Sequence, residues 1–238
     1  MPTYDDEILA PHDTLRGYDR WAPTYDHDPN SLVAATSWVL DHASLGAGDC
    51  DVLELGCGTG RNIPRILGEG ARSYLGLDGS HGMLNIAAQR YQDPRISFGV
   101  TDLTAPWALP QQFDLALVVL VLEHLPALDP LIVSLARAIR PGGRVRIVDL
   151  HPERIAAGSF AHFQDGTTNV HFSSAAHAVP MLCMAFDAVG FETVRRDWLA
   201  GETMITEVPG LAKHRGTRLV LDLKATRRTR ERRGSGSL

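Results

Sequence analysis

A run of three glycines at every second position, directly after a short apolar strand, constrains this chain more than any other feature. The predicted strand runs from Asp51 to Leu55, and the glycines are Gly56, Gly58 and Gly60. Glycine is required where the backbone turns with positive φ, or where a ligand must lie against it without an intervening Cβ. A helix is predicted from Arg61 to Leu67, and its first N–H groups have no partner within the helix. The pattern predicts a small-molecule site at the carboxyl end of a parallel strand.

The spacing of the glycines distinguishes between two kinds of cofactor. A dinucleotide fingerprint is G-x-G-x-x-G, and its third glycine lets a helix and a strand pack closely beside a pyrophosphate. This chain has G-x-G-x-G followed by Arg61 and Asn62. The string from Glu54 to Gly60, E-L-G-C-G-T-G, resembles motif I of class I S-adenosylmethionine (SAM) dependent methyltransferases. The resemblance implies a SAM site, and a nicotinamide or flavin site is the alternative.

Acidic residues later in the chain agree with this resemblance. Asp78 ends a predicted second strand about 20 residues after the first glycine, where an acid can bind both ribose hydroxyls. Asp78 could instead cap the following helix, although Ser80 is the better N-cap candidate. In the resembling family, an acid such as Asp102 binds the adenine amino group, and Met83 packs near the adenine. The cofactor-binding residues that the resemblance implies are Tyr18, Tyr25, Glu54, Gly56, Cys57, Gly58, Gly60, Asp78, Gly79, Met83, Asp102, Leu103 and Val119.

Apolar strands that alternate with helical stretches predict the fold. The expected helices span residues 31–44, 61–67, 80–91, 130–139 and 176–189, and the later strands span 113–119, 144–150, 191–199 and 217–223. Residues 140–143 are expected to form a turn, and residues 200–216 are left unassigned. With the resemblance, this order predicts an α/β fold: a seven-stranded, mostly parallel sheet with helices on both faces and an antiparallel C-terminal hairpin.

Composition and charge indicate how the chain is divided. Its 238 residues, 44% hydrophobic and 21% charged, suit one domain over residues 1–224. From Lys224 onward there are six basic residues and one acid, so the tail carries +5 and leaves −10 for the rest of a chain of net charge −5. A basic tail could bind nucleic acid or an anionic membrane surface. The acidic body and the lack of interleaved aromatic residues favour a disordered, solvated tail over residues 225–238.

Two segments outside the cofactor core are expected to define the acceptor site. Residues 18–26, Y-D-R-W-A-P-T-Y-D, resemble an N-terminal segment of many small-molecule methyltransferases that folds over the methionine end of SAM. This predicts a helical lid at about residues 15–30, although Pro23 disfavours an unbroken helix and the aromatic residues could simply pack the helix onto the body.

The second segment is an insertion over about residues 151–176, after the fifth strand. Two alternating runs around Asp165 and Gly166 predict a β-hairpin. Open α/β sheets bind ligands beyond the carboxyl ends of their strands, which is where the insertion starts. Phe160, Phe163 and Phe172 could line a pocket for an aromatic or terpenoid acceptor, or only pack the hairpin down.

Candidate catalytic residues follow the fourth and fifth strands. Methyl transfer from a sulfonium is an in-line displacement, so the nucleophile must be held near the methyl and water excluded. His124 follows strand four, while Asp149 and His151 end strand five. In the sugar and phenol methyltransferases that this chain resembles, a histidine and an acid at these places serve as base and partner. We predict His124 as the base, oriented by Asp149, with His151 as the second candidate; alternatively, His124 only caps the next helix.

Several classes of site are not expected. The histidines lack the i, i+4 spacing of a zinc helix and no cysteine cluster assists them, so no metal is predicted. Three scattered cysteines do not form a disulfide framework, which favours a cytoplasmic protein. No apolar run approaches the about 20 residues that span a bilayer. The loop after strand four lacks the [ND]-P-P-[FYW] motif of enzymes that methylate base nitrogens, and the acidic body also disfavours a nucleic-acid partner.

These patterns together predict an enzyme that transfers a methyl group from SAM to a small, apolar or aromatic acceptor and releases S-adenosylhomocysteine. O-methylation is favoured, C- and N-methylation stay open, and secondary metabolism or quinone-like chemistry is the expected context. The alternatives are a SAM-binding partner protein without catalysis, and a methyltransferase that acts on a protein or RNA. The sequence does not predict the oligomeric state.

Overall fold

The computed structural model describes residues 5–28 and 30–229, and within these it contains ten strands and eight α-helices. The strands are β1 (Asp5–Leu9), β2 (Asp51–Leu55), β3 (Ser73–Asp78), β4 (Ile96–Val100), β5 (Phe113–Val119), β6 (Ile139–Leu150), β7 (His162–Asp165), β8 (Thr168–Phe172), β9 (Phe191–Leu199) and β10 (Arg218–Arg227). The helices are α1 (Thr14–Trp21), α2 (Ser31–Asp41), α3 (Ile63–Gly68), α4 (His81–Arg90), α5 (Asp129–Ala138), α6 (Pro152–Ala156), α7 (Val179–Ala188) and α8 (Glu202–Glu207).

The main sheet has seven strands in the order β4-β3-β2-β5-β6-β10-β9. Strands β2 to β6 pair in parallel, and β10 runs antiparallel to both β6 and β9. The central strands are apolar on both faces because helices cover both sides of the sheet, and Val52, Leu53 and Leu55 of β2 are fully buried. The predicted α/β fold with an antiparallel C-terminal hairpin is confirmed.

The strand order places a ligand site at one edge of the sheet. The chain passes from β2 to β3 and β4 on one side, and returns to β5 and β6 on the other. Loops that leave the carboxyl ends of β2 and β5 therefore diverge and open a crevice between them. The glycine run follows β2, and the segment from Leu120 to His124 follows β5, so the two segments face each other across this crevice.

A second, three-stranded sheet in the order β1-β8-β7 lies outside the main sheet. Its β7–β8 hairpin, predicted around Asp165 and Gly166, turns at Gly166 and Thr167, but the parallel pairing of β1 with β8 was not expected from the sequence. Arg20 of α1 forms ion pairs with both outer strands of this sheet, with Glu7 on β1 at 2.9 Å and with Asp165 on β7 at 2.8 Å. The N-terminal segment and the insertion are thus joined into one unit.

Three expected boundaries differ from the structure. The segment 140–143, predicted as a turn, is included in β6, whose chain turns at Gly142 with φ 81°. Residues 200–216 contain the short helix α8 and a 3₁₀ turn over Pro209–His214. Strand β10 continues to Arg227, because Thr226 pairs with both β6 and β9, so the strand extends three residues beyond the domain end expected at residue 224. Residues 230–238 of the predicted tail lie outside the described residues.

None of the helices in the described part of the chain is long and apolar enough to cross a membrane.

Candidate active site

The glycine run forms one wall of a cavity at the carboxyl edge of the main sheet. Gly56, Gly58 and Gly60 have φ values of 67°, 55° and 80°, a region that side chains disfavour. A Cβ on Gly56 would lie 2.3 Å from Val121 Cγ2, so this glycine allows the two loops to approach each other. A Cβ on Gly58 would meet nothing within 4 Å, because Gly58 borders open space.

This first cavity, of about 280 Å³, collects most of the residues predicted to bind the cofactor. The predicted residues that line it are Tyr18, Tyr25, Gly56, Cys57, Gly58, Asp78, Gly79, Met83, Asp102, Leu103 and Val119. They come from α1 and the turn after it, from the ends of β2, β3 and β5, from the segment after β4 and from the first turn of α4. The sequence thus identified the cavity from segments that are far apart along the chain.

Two of the residues predicted to bind the cofactor do not line the cavity. Glu54 is buried beneath the glycine run, where its carboxylate accepts hydrogen bonds from Asn62 Nδ2 and Tyr74 Oη, both at 2.6 Å. Burial raises the pKa of Glu54 to about 7. A Cβ on Gly60 would lie 2.8 Å from Ile63 Cδ1, so Gly60 is needed for packing. Both residues support the loop, and their contact with the cofactor stays a prediction.

Asp78 stands at the tip of β3 with its carboxylate at the cavity wall. Its Oδ2 accepts a hydrogen bond from the backbone N–H of Gly58 at 2.8 Å, and its Oδ1 accepts one from Ser80 N–H at 2.8 Å. Burial raises its pKa, although these backbone donors act in the opposite direction. The helix N-cap is Ser80, as predicted, because its Oγ accepts from Met83 N–H at 3.1 Å. Asp78 therefore links the glycine run to the start of α4.

The predicted lid covers this cavity and is anchored by two aspartates. Asp19 Oδ1 accepts hydrogen bonds from Ser80 Oγ and Gly82 N–H, both at 2.7 Å. Asp26 accepts one from Thr59 Oγ1 at 2.7 Å, which ties the segment to the glycine run. The helix ends at Trp21, so Pro23 lies in the turn that follows it. Tyr18 and Tyr25 consequently do not share a helix face.

Sequence reasoning missed Arg61, which directly follows the glycine run and lines the first cavity. Its Nη1 is buried, and no residue in the described part of the chain accepts a hydrogen bond from it. A buried N–H group of a cation without an acceptor is costly, so it marks a place where an anionic ligand group would be stabilised. The sequence feature that could have identified Arg61 is a basic residue directly after the G-x-G-x-G string.

The loop after β5 is held by Asp149. Its Oδ2 accepts hydrogen bonds from the backbone N–H groups of Val121 and Leu122, both at 2.9 Å, and its Oδ1 accepts one from Leu150 N–H at 2.7 Å. Burial raises its pKa to about 6. These bonds fix the backbone of the loop, and the predicted hydrogen bond from Asp149 to the His124 ring is absent among the described contacts. Asp149 therefore acts directly on the backbone of the loop that carries His124, and its catalytic role stays a prediction.

His124 borders the first cavity from this loop. Its Nε2 lies 2.7 Å from Tyr18 Oη, and only 9% of its side chain is exposed. Burial lowers its pKa to about 4, so the ring is neutral near pH 7. Its Nδ1 has no hydrogen-bond partner among the described residues. His124 thus connects the loop after β5 to the lid through Tyr18.

His151, the second candidate base, lies outside the crevice between the loops that follow β2 and β5. It is the N-cap of α6, with Nδ1 accepting from Glu153 N–H at 3.3 Å, and its Nε2 lies 3.6 Å from Asp197. It lines neither the first cavity nor the neighbouring one. The strand continues in register to Leu150 and then turns into α6, which carries the His151 side chain away from the site.

A second cavity, of about 540 Å³, adjoins the first. Tyr18, Tyr25 and Leu120 line both cavities and form the boundary between them. Leu120 has φ 55°, which is costly for a residue with a side chain and is found mostly at functional positions. The two cavities therefore adjoin at these three residues.

The aromatic residues of the insertion have different roles. Phe160 and Phe163 line the second cavity, which agrees with the interpretation that these residues line a pocket. Phe172 is buried and packs against Tyr18, with ring centroids 4.7 Å apart, so it supports the lid. The remaining wall includes polar side chains, among them Asp28, Glu123, His162 and Lys213.

Comparison with known proteins agrees with this arrangement. A family model described as a methyltransferase domain matches residues 52–143. AN0656 of Emericella nidulans, named an uncharacterized methyltransferase, is 30% identical, with 76% of this chain and 77% of that protein covered. The ubiquinone biosynthesis O-methyltransferase of Pseudomonas fluorescens is 29% identical, with 61% of this chain and 63% of that protein covered. A solved SAM-dependent methyltransferase from Mesorhizobium loti has a TM-score of 0.69 at 25% identity, with 83% of this chain and 100% of that chain covered.

The chain therefore belongs to the class I SAM-dependent methyltransferases. It is an enzyme of that family, and SAM is its cofactor. The first cavity fits this molecule chemically: an acid at the tip of β3 suits the ribose, and the unpaired Arg61 suits a carboxylate. Gly58 also leaves open space where a ligand can approach the backbone.

Proposed function

We propose that this enzyme methylates a hydroxyl group of a small, apolar or aromatic molecule bound in the second cavity. The observation that carries the proposal is the second cavity itself, which meets the first at Tyr18, Tyr25 and Leu120 and has Phe160 and Phe163 in its wall. Apolar pockets with a few polar groups are typical of small-molecule sites. The name of the Pseudomonas fluorescens relative, an O-methyltransferase of ubiquinone biosynthesis, supports an oxygen acceptor in quinone-like or secondary metabolism.

For the cofactor, we propose one role for each part of the first cavity. Asp78 accepts hydrogen bonds from the ribose hydroxyls, while Asp102 and the backbone of Leu103 bind the adenine edge, beside Met83. Arg61 binds the carboxylate of the methionine end, because its Nη1 is buried and unpaired among the described residues. When bound, SAM supplies a methyl group activated by the sulfonium.

His124 is assigned a positioning role toward Tyr18. The two side chains are 2.7 Å apart; His124 lines the first cavity, and Tyr18 lines both cavities. The largely buried imidazole accepts a proton poorly, because burial lowers the pKa of His124 to about 4. His124 and Tyr18 together close the boundary, hold the acceptor near the methyl and exclude water.

The cytoplasm is the proposed location, because the three cysteines of the chain are all free thiols. The acceptor is a small molecule in this proposal. Neither a macromolecular acceptor nor SAM binding without catalysis requires a second small-molecule cavity beside the first.

Incubation of the purified protein with SAM and a panel of acceptors tests the proposal. The panel holds matched phenols, carboxylic acids, amines and carbon nucleophiles, and mass spectrometry detects S-adenosylhomocysteine and the methylated product. We expect turnover with one or more phenols, and loss of turnover in Phe163→Asp, which places a charge in the second cavity. Turnover confined to amines or carbon acceptors would overturn the preference for oxygen, and methylation only of added protein or RNA would overturn the proposal.

A further inference from the structure

Two consecutive side chains of the loop after β5 face different cavities. His124 lines the first cavity, whereas Glu123 lines the second. Glu123 is only 3% exposed, and its Oε2 accepts a hydrogen bond from Ser174 Oγ at 3.0 Å. The loop is fixed on this side as well, because Ala175 N–H donates to the Glu123 carbonyl at 2.7 Å. A buried carboxyl group is thus held rigidly in the wall of the cavity proposed for the acceptor.

The other oxygen of this carboxyl group has no strong partner. Oε1 lies 3.8 Å from His124 Nε2, and no described residue donates a hydrogen bond to it. Among the described residues, no lysine or arginine forms an ion pair with Glu123. Glu54 and Asp149 are also buried without a cation, but hydrogen bonds satisfy both oxygens of each, whereas Glu123 lines a cavity and keeps one oxygen without a donor.

We propose that Glu123 is the general base that accepts the proton of the acceptor hydroxyl. This inference rests on the proposed function, because it requires a hydroxyl acceptor in the second cavity. It replaces His124 in that role, and the reason is position: Glu123 is on the acceptor side of the boundary, whereas His124 is on the cofactor side and is bonded to Tyr18.

The reaction balances with these groups. The acceptor oxygen forms a bond to the methyl carbon while the carbon–sulfur bond breaks, and that bond's electron pair stays on sulfur, which loses its positive charge. The proton of the hydroxyl moves to the Glu123 carboxylate. The protonated Glu123 returns this proton to water when the second cavity opens to solvent after product release.

The surroundings of Glu123 set its protonation. Burial, together with the like charge of Asp149 on β6, raises the pKa of Glu123 to about 7, and the hydrogen bond from Ser174 opposes this shift. The other titratable groups around it are neutral His124 in the same turn and Tyr18 on α1, whose pKa burial raises well above its ordinary value. Tyr25, Asp28, His162, Lys213 and His214 also line the same cavity. A base with a pKa near the working pH transfers protons most effectively.

The experiment measures kcat/KM against pH for wild type, Glu123→Gln and the control Glu192→Gln, which alters an exposed glutamate on β9. Two phenols serve as probes: an unsubstituted phenol, protonated at about pH 8, and a nitrophenol, ionised at that pH. We expect Glu123→Gln to lower the rate on the unsubstituted phenol by about 10²–10⁴-fold and to remove the fall in rate below about pH 7. The loss should be much smaller with the nitrophenol, which needs no base.

Ser174→Ala provides a second test that keeps the carboxyl group. Loss of the Ser174 hydrogen bond should raise the pKa of Glu123 and move the acidic limb of the rate profile to higher pH. Wild-type kcat and an unchanged acidic limb in Glu123→Gln would overturn the inference, and so would an equal loss on both phenols. If wild type itself methylates no hydroxyl, it is the proposed function that fails; SAM affinity and the melting temperature of each variant show that it is folded.

Discussion

Gly58→Ala separates the two reasons for which glycines occur in a loop, namely backbone conformation and close approach of a ligand. Gly58 has φ 55°, and a Cβ there would meet nothing within 4 Å, so the added methyl causes no clash with the protein. Alanine in the left-handed region costs about 1–2 kcal/mol. The methyl would stand in the first cavity, where we propose that SAM binds.

Gly216→Ala is a matched control for this substitution. Gly216 has φ 74°, a Cβ there would also meet nothing within 4 Å, and the residue lies outside the first cavity. Both variants should lose about 1–2 kcal/mol of unfolding free energy, which lowers the melting temperature by roughly 2–8 °C for a chain of this length. Only Gly58→Ala should weaken SAM binding, by about 1–3 kcal/mol or roughly 5- to 150-fold.

Thermal unfolding without ligand and isothermal titration with S-adenosylhomocysteine measure the two quantities separately. Equal affinities in Gly58→Ala and wild type, with equal losses of stability in the two variants, would refute the reasoning. The glycine would then be required for its backbone conformation alone. A further variant, Gly56→Ala, should be far less stable than either, because its Cβ would lie 2.3 Å from Val121 Cγ2.

Three further predictions concern buried carboxyl groups. Asp78→Ala should weaken SAM binding by about 1–3 kcal/mol in calorimetry, and unchanged affinity would contradict the assigned ribose contact. Asp149→Ala leaves the buried N–H groups of Val121 and Leu122 without an acceptor, so chemical denaturation should show a loss of roughly 2–5 kcal/mol; a loss of rate without a loss of stability would restore Asp149 as a partner of the base. Because burial raises the pKa of Glu54 to about 7, the folded state holds a proton that the unfolded state releases above about pH 4–5. Stability should therefore fall as pH rises from about 5 to 7, and Glu54→Gln should reduce that slope in melting curves; an unchanged slope would contradict the raised pKa.

The residues that line the first cavity were predictable because short, local sequence patterns specify them. Each strand ends in a recognisable residue, and parallel strands bring their carboxyl ends to one edge, so Gly58, Asp78 and Asp102 were expected to meet. Glu54 shows the limit of this reasoning. It belongs to the same motif string, but the alternation of a strand turns its side chain toward Asn62 and Tyr74, beneath the loop.

The catalytic residues were less predictable, because their roles depend on contacts between distant segments. Asp149 was correctly placed at the end of a strand, but its bonds go to the Val121 and Leu122 backbone, which no sequence pattern specifies. His124 was selected because it follows the fourth strand of the main sheet, and Glu123 directly precedes it there. Which of the two faces the acceptor depends on the 3₁₀ turn over Leu122–His124 and on Tyr18, which comes from α1 to contact His124.

The N-terminal strand has a consequence for how the two cavities relate. Strand β1 pairs with β8 over residues 5–9 and 168–172, so the chain that precedes the lid is hydrogen-bonded to the hairpin whose other strand carries Phe163. Arg20 adds a bond from the lid helix to each of the outer strands. Opening of the lid away from the first cavity must then break this sheet or carry the hairpin along. A lid that opened in either way would alter the wall of the second cavity, because Phe163 lies on this hairpin and no local sequence pattern reveals the hydrogen bonds that join the two.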